Sequence, residues 1–150
     1  MARIMIVEDD SIILSNLSQL LGMTGLDVLE ASDGQEAWTL LEAGRGNSRL
    51  VPNVILSDLM MPNLDGFQLL SAVRADRDFS HIPFILLTAR SDSSDVKTAF
   101  DLGASDYLVK PFELDELILV VKRQLGNAGV GVGADDPLGQ SLEGLSSLFD

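Results

Sequence analysis

The chain has 150 residues, a single histidine, no cysteine and a formal net charge of −13, which is the length of one ordinary domain with one core. Without cysteine there is neither a disulfide framework nor a thiolate metal site, so any metal must be held by oxygen or by His81, and hard cations are expected. The negative charge opposes direct binding of nucleic acid. Apolar stretches such as Val54 to Leu56 and Leu117 to Val121 are far shorter than the roughly 18 residues of a membrane span, and Met1 to Val7 lacks a signal-peptide plan, so a cytoplasmic protein is expected.

Arg3 to Val7 is an apolar run that predicts a first strand. Ile13, Leu17, Leu20 and Leu21 follow at helical spacing, one stripe of an amphipathic helix with Asp10 or Ser11 as its cap. A second strand is predicted over Asp27 to Glu30. The next helix should start at Asp33, with Glu36 reaching back in a capping box, Ala37, Leu40 and Leu41 facing inward, and Gly44 and Gly46 ending it. Val54 to Ser57 predicts a third strand, Pro62 and Gly66 a tight turn, and the residues after Gly66 a third helix. Phe84 to Leu87 and Tyr107 to Val109 predict the last two strands. Helices about Ser94 to Leu102 and Glu113 to Leu125 complete the series, the last with acids at its start and Lys122 and Arg123 at its finish, as the helix dipole prefers. The strands lack polar alternation and should be buried on both faces. Fivefold alternation of strand and helix implies right-handed crossovers and a doubly wound parallel α/β sheet with helices on both sides.

From Asn127 to Ala134 the chain turns Gly-rich, so the domain should comprise residues 1–125, followed by a flexible linker and short tail, 126–150. Within the tail, Asp135, Asp136 and Pro137 can start a helix whose apolar stripe is Leu138, Leu142, Leu145 and Phe149. Fourteen residues weakened by Gly139 and Gly144 need a partner surface to fold. A tethered docking segment and a plain linker remnant are the two readings.

In such sheets ligands bind beyond the carboxyl ends of the strands. There the sequence places Glu8, Asp9 and Asp10 after strand one, Asp58 after strand three, Thr88 and Ala89 after strand four, and Lys110 and Pro111 after strand five. Any single acid could be a turn former or helix cap. Taken together, three or more carboxylates at one edge demand a counter-charge, since two charges about 4 Å apart cost about 4 kcal/mol at an effective dielectric near 20. Mg²⁺ suits an oxygen-only site, and Lys110 supplies a further positive charge.

Ile-Val-Glu-Asp-Asp at 6–10, Ser-Asp-Leu-Met-Met-Pro-Asn-Leu-Asp-Gly at 57–66, Leu-Thr-Ala at 87–89 and Gly-Ala-Ser-Asp-Tyr-Leu-Val-Lys-Pro-Phe at 103–112 resemble the signature of response regulator receiver domains, in order over residues 3–125. The resemblance implies a flavodoxin-like sheet of order 2-1-3-4-5 with five helices. It implies a two-component signalling switch, not a metabolic enzyme, that takes a phosphoryl group on Asp58 from a sensor histidine kinase or histidine phosphotransfer protein. Asp9, Asp58 and the Met60 carbonyl would coordinate Mg²⁺, with Glu8 acting through water. The Thr88 hydroxyl, the Lys110 ammonium and the Ala89 N–H would each meet a phosphoryl oxygen. Thr88 and Tyr107 would form the switch that reshapes the surface of helix four, strand five and helix five, and the Lys110–Pro111 bond would be cis. The output partner stays open, and a second copy of the chain is one candidate. Trp38 reads as packing or surface cover, and His81 as a loop residue without a catalytic role.

Two rival readings fit these residues less well. A haloacid-dehalogenase-like phosphatase needs an acid two residues after its nucleophile, where this chain has Met60. A receiver-like docking module that never takes phosphate has no need of the full set Glu8, Asp9, Asp58, Thr88 and Lys110. The chain reads either as a single-domain regulator or as the first piece of a longer one.

Overall fold

The structure, a computed structural model, describes residues 2–89 and 93–127. Strands β1 (Arg3–Val7), β2 (Asp27–Ala31), β3 (Val54–Asp58), β4 (Phe84–Thr88) and β5 (Asp106–Val109) alternate with helices α1 (Ser11–Gly22), α2 (Gly34–Ala43), α3 (Gly66–Ala75), α4 (Ser93–Asp101) and α5 (Leu114–Asn127). All strands are parallel, in the order β2-β1-β3-β4-β5. The chain therefore reverses direction of winding beside β1, and the crevice for a ligand opens where β1 and β3 end. The register pairs Val7 with Ala31 and Ser57, Asp58 with Leu87, and Thr88 with Val109. That brings the expected site residues to one edge.

Alternate strand residues feed two cores. Ile4, Ile6, Val54, Leu56, Ile85 and Leu87 point to one face, against Leu14, Leu17 and Leu21 of α1 and Leu117, Ile118, Val121 and Leu125 of α5. Met5, Val7, Ile55, Phe84 and Leu86 point to the other, against Ala37 and Leu41 of α2, Leu69, Leu70 and Val73 of α3, and Ala99 of α4. Only the inner strands β1, β3 and β4 are buried on both faces. The edge strands β2 and β5 keep partly exposed side chains, a correction to the expectation of uniform burial: an edge has a neighbour on one side only.

Local chemistry explains the helix ends. The Asp10 side chain accepts from the N–H groups of Ile12 and Ile13 and so caps α1. The buried stripe of that helix is Leu14, Leu17 and Leu21, one residue around from the predicted one, with Ile13 and Leu20 at its half-buried margin. Asp33 caps α2 by accepting from Glu36 N–H at 2.8 Å. Glu36 does not close the expected box onto Asp33; its carboxylate takes the N–H and hydroxyl of Ser32 instead. The reciprocal box is at α3, between Asp65 and Gln68. Several strands run one residue beyond their predicted ends, so that Asp58 and Thr88 are themselves the last residues of β3 and β4.

Gly66 opens α3 where a side chain would not fit: a Cβ there would lie 2.5 Å from the Asp58 carbonyl oxygen and 2.8 Å from Leu59 Cα. Its N–H donates to the Leu59 carbonyl at 2.8 Å and closes the turn predicted from Pro62 and Gly66. Of the linker and tail expected over 126–150, Gly126 and Asn127 form the last residues of α5, and residues 128–150 lie outside the described residues.

Candidate functional site

Asp58 ends β3 with 8% of its surface exposed. Its Oδ1 accepts from the Leu59 N–H at 2.9 Å, which fixes the carboxylate against the start of the β3–α3 loop. Lys110 Nζ lies 3.5 Å from Asp58 Oδ2 and 3.4 Å from both carboxylate oxygens of Glu8. Lys110 reaches this place from the end of β5, where its N–H donates to the Thr88 carbonyl at 2.7 Å and the bond to Pro111 is cis.

Glu8, Asp9 and Asp58 each offer one carboxylate oxygen, and these atoms lie within 4.8 Å of one another. Glu8 is buried while Asp9 is exposed, so the cluster has an open side. The electrostatic cost shows at Glu8: burial, then the hydrogen bond and the charge of Asp58, push its carboxyl up to about 7 against the opposing pull of Lys110. One lysine thus offsets only part of the negative charge. An oxygen-only donor set with an open side fits a hard cation that keeps part of its water shell.

Next to the acids, a cavity of about 320 Å³ is lined by Leu59, Met60, Thr88, Ala89 and Asp95. Thr88 is buried, Ala89 exposed, and Met60 presents 74% of its surface to solvent. Tyr107 sits apart from this centre. Its ring is partly exposed on β5 and meets Phe100 of α4 edge-on, with centroids 5.8 Å apart. Asp10, grouped with the acids in the sequence, serves α1 as its cap. His81 precedes β4 at the opposite edge of the sheet, beside Arg45 and Phe79, and Trp38 packs edge-on against Phe79.

The sequence reading missed the support of the β3–α3 loop. Asn63 takes a left-handed backbone, φ 67°, and its amide donates to Asp33 Oδ2 at 2.8 Å. An Asn between Pro and a helix cap is the signal that could have shown it, since Asn is the side chain most tolerant of that conformation after glycine.

Fold and site together define a doubly wound α/β domain with an acidic centre, answered by one lysine, at its carboxyl edge. Within that class the chain belongs to the response regulator receiver domain family, whose model matches residues 4–122, and so to two-component signal transduction. It is 40% identical over 129 residues to a probable transcriptional regulator ycf27 of Porphyridium aerugineum, covering 84% of this chain and 50% of that protein. It is 38% identical over 125 residues to the DNA-binding dual master transcriptional regulator RpaA of a Synechocystis strain, covering 83% and 49%. Among solved structures, the signal receiver domain of a signal transduction histidine kinase from Syntrophus aciditrophicus superposes with a TM-score of 0.75 at 35% identity, over 85% of this chain and 92% of that one. The chain spans about half the length of the curated relatives it matches. Among the described residues no helix is long and apolar enough to cross a membrane.

Proposed function

We propose that the chain is a phosphoacceptor switch that receives a phosphoryl group on Asp58 from a phosphohistidine of a sensor kinase or phosphotransfer protein, in a Mg²⁺-dependent reaction in the cytoplasm. The observation that carries this reading is the partly neutralised cluster itself: Glu8, Asp9 and Asp58, each with a carboxylate oxygen within 4.8 Å of the others, with Lys110 Nζ 3.5 Å from Asp58. Such a grouping costs folding energy, and phosphoryl transfer is a chemistry that uses it.

The carboxylates of Asp9 and Asp58 and the Met60 carbonyl would hold the ion, with Glu8 acting through a water. The bound ion supplies neutralisation of charge at the transferring group. An Asp58 carboxylate oxygen attacks phosphorus as the bond to the donor's imidazole nitrogen breaks, and that nitrogen takes up a proton. Lys110, already beside Asp58, pairs with one phosphoryl oxygen; the Thr88 hydroxyl and the Ala89 N–H at the neighbouring cavity meet the others. Water later attacks the acyl phosphate and restores Asp58, which makes the protein its own slow phosphatase and not a metabolic enzyme.

Drawing the Thr88 hydroxyl toward the phosphoryl group opens room for the ring of Tyr107, and the surface of α4, β5 and α5 changes with it. The relatives named transcriptional regulators suggest an output on gene expression through a further domain or partner. Incubation with acetyl phosphate and Mg²⁺ tests the chemistry: a labile phosphoryl mass gain that a chelator abolishes is expected. No gain, or a gain insensitive to the chelator, contradicts the reading.

A further inference from the structure

The end of β2 and the start of α2 meet two segments that flank the acidic centre. On one side the Ala31 carbonyl accepts from the Glu8 N–H at 3.0 Å, tying the end of β2 to the acids that follow β1. On the other side, two residues on, Asp33 and Gly34 grip the β3–α3 loop. Asp33 uses its oxygens separately: Oδ1 accepts from Glu36 N–H and caps α2, while Oδ2 accepts from the Asn63 amide, each at 2.8 Å. Gly34 N–H donates to the Leu64 carbonyl at 3.2 Å. The approach is so close that a Cβ on Gly34 would stand 2.3 Å from that oxygen. Asn63 and Leu64 follow Met60 by three and four residues, in a segment whose far end is closed by the Gly66 N–H on the Leu59 carbonyl. The loop that presents the Met60 carbonyl is therefore held from both ends, and the hold at its middle comes from α2.

We propose that the Asp33–Asn63 pair and Gly34 form a positioning brace that fixes the β3–α3 loop relative to Asp9 and Asp58, and so sets the affinity of the centre for Mg²⁺. The proposal rests on the metal site proposed above. None of these three residues is itself a candidate ligand; they act through the backbone of residues 59–65. A metal that draws one of its ligands from a loop carbonyl loses affinity when that loop can wander, because ordering the loop is then paid at binding. Asp33 is held ionised by the Glu36 N–H and the Asn63 amide, so the brace is a charge-assisted hydrogen bond.

The experiment is Mg²⁺ titration of the full chain by calorimetry, together with hydrogen exchange at the Gly34 and Gly66 amides without metal. Asn63→Gly keeps the left-handed backbone free of strain and removes only the amide. It is expected to raise the Mg²⁺ dissociation constant about tenfold and to speed exchange at both amides. The swap Asp33→Asn with Asn63→Asp keeps the net charge, the cap and a hydrogen bond of reversed direction, and should restore wild-type affinity. Wild-type affinity and exchange in Asn63→Gly would overturn the brace alone, as would a swap that binds Mg²⁺ no better than Asn63→Gly. A wild-type chain that binds no Mg²⁺ would overturn the metal site along with it.

Discussion

Glu8 and Asp58 carry the conflict on which the proposed chemistry depends, and its sign can be read in stability. The Glu8 carboxyl, ordinarily near 4.5, is raised to about 7 in the fold, so between those values the folded state binds a proton that the unfolded chain has lost. Metal-free stability should be greatest below about pH 4.5 as far as this group is concerned, and should fall as pH rises toward 7. Thermal melts of metal-free Glu8→Gln against wild type across that range check it: the variant should lose most of the slope, and an equal slope in both contradicts the assignment. Asp58→Asn acts on the same conflict. It removes one charge while keeping the shape, so the metal-free melting temperature should rise, by about 4 °C for each 1 kcal/mol relieved, while Mg²⁺ stabilisation is largely lost. A melting temperature unchanged or lowered without metal would count against the proposed repulsion.

Elements position these residues through contacts that a sequence shows unevenly. Gly66 lies under the Asp58 carbonyl, and Gly66→Ala forces backbone to move at the site itself; a loss of about 1–3 kcal/mol is expected in denaturant melts, and a neutral substitution would show that the turn has room. Away from the site, Phe79 joins the α3–β4 connection to α2, edge-on to Trp38 and under the Arg45 guanidinium at 4.5 Å, while Arg45 also bridges Glu42, Asp76 and Asp78. Phe79→Ala should cost about 3–5 kcal/mol. The five strands and five helices were legible because apolar runs and helical stripes alternate cleanly, and the acids, Thr88 and Lys110 were legible because each directly follows or ends a strand. What escaped the sequence was direction and partner. Asp10 turns back into α1 while its neighbour Asp9 faces the centre, Glu36 bonds Ser32 and not the expected cap, and Asn63 reaches across thirty residues to Asp33. These choices depend on which backbone groups lie near in space, and spacing along the chain does not encode that.

Two cores, one on either face of the sheet, pack against all five helices, and the proposed change of surface is expected at α4, β5 and α5. If residues 127–150 dock on a partner, their deletion should leave phosphorylation of Asp58 intact and weaken whichever association the full chain shows in analytical ultracentrifugation or pull-down. Unchanged association and unchanged stability would reduce the segment to a linker. The proposed chemistry leaves its mark on the Asp58 carboxylate, where it can be read chemically. After incubation with acetyl phosphate and Mg²⁺, borohydride reduces an aspartyl phosphate to homoserine at the residue that carried it, and peptide mapping by mass spectrometry reads the position. Homoserine at Asp58 and at no other acid is the expected result; homoserine at Asp9 or Glu8's product in its place, or none at all in a chain that binds Mg²⁺, would contradict the account.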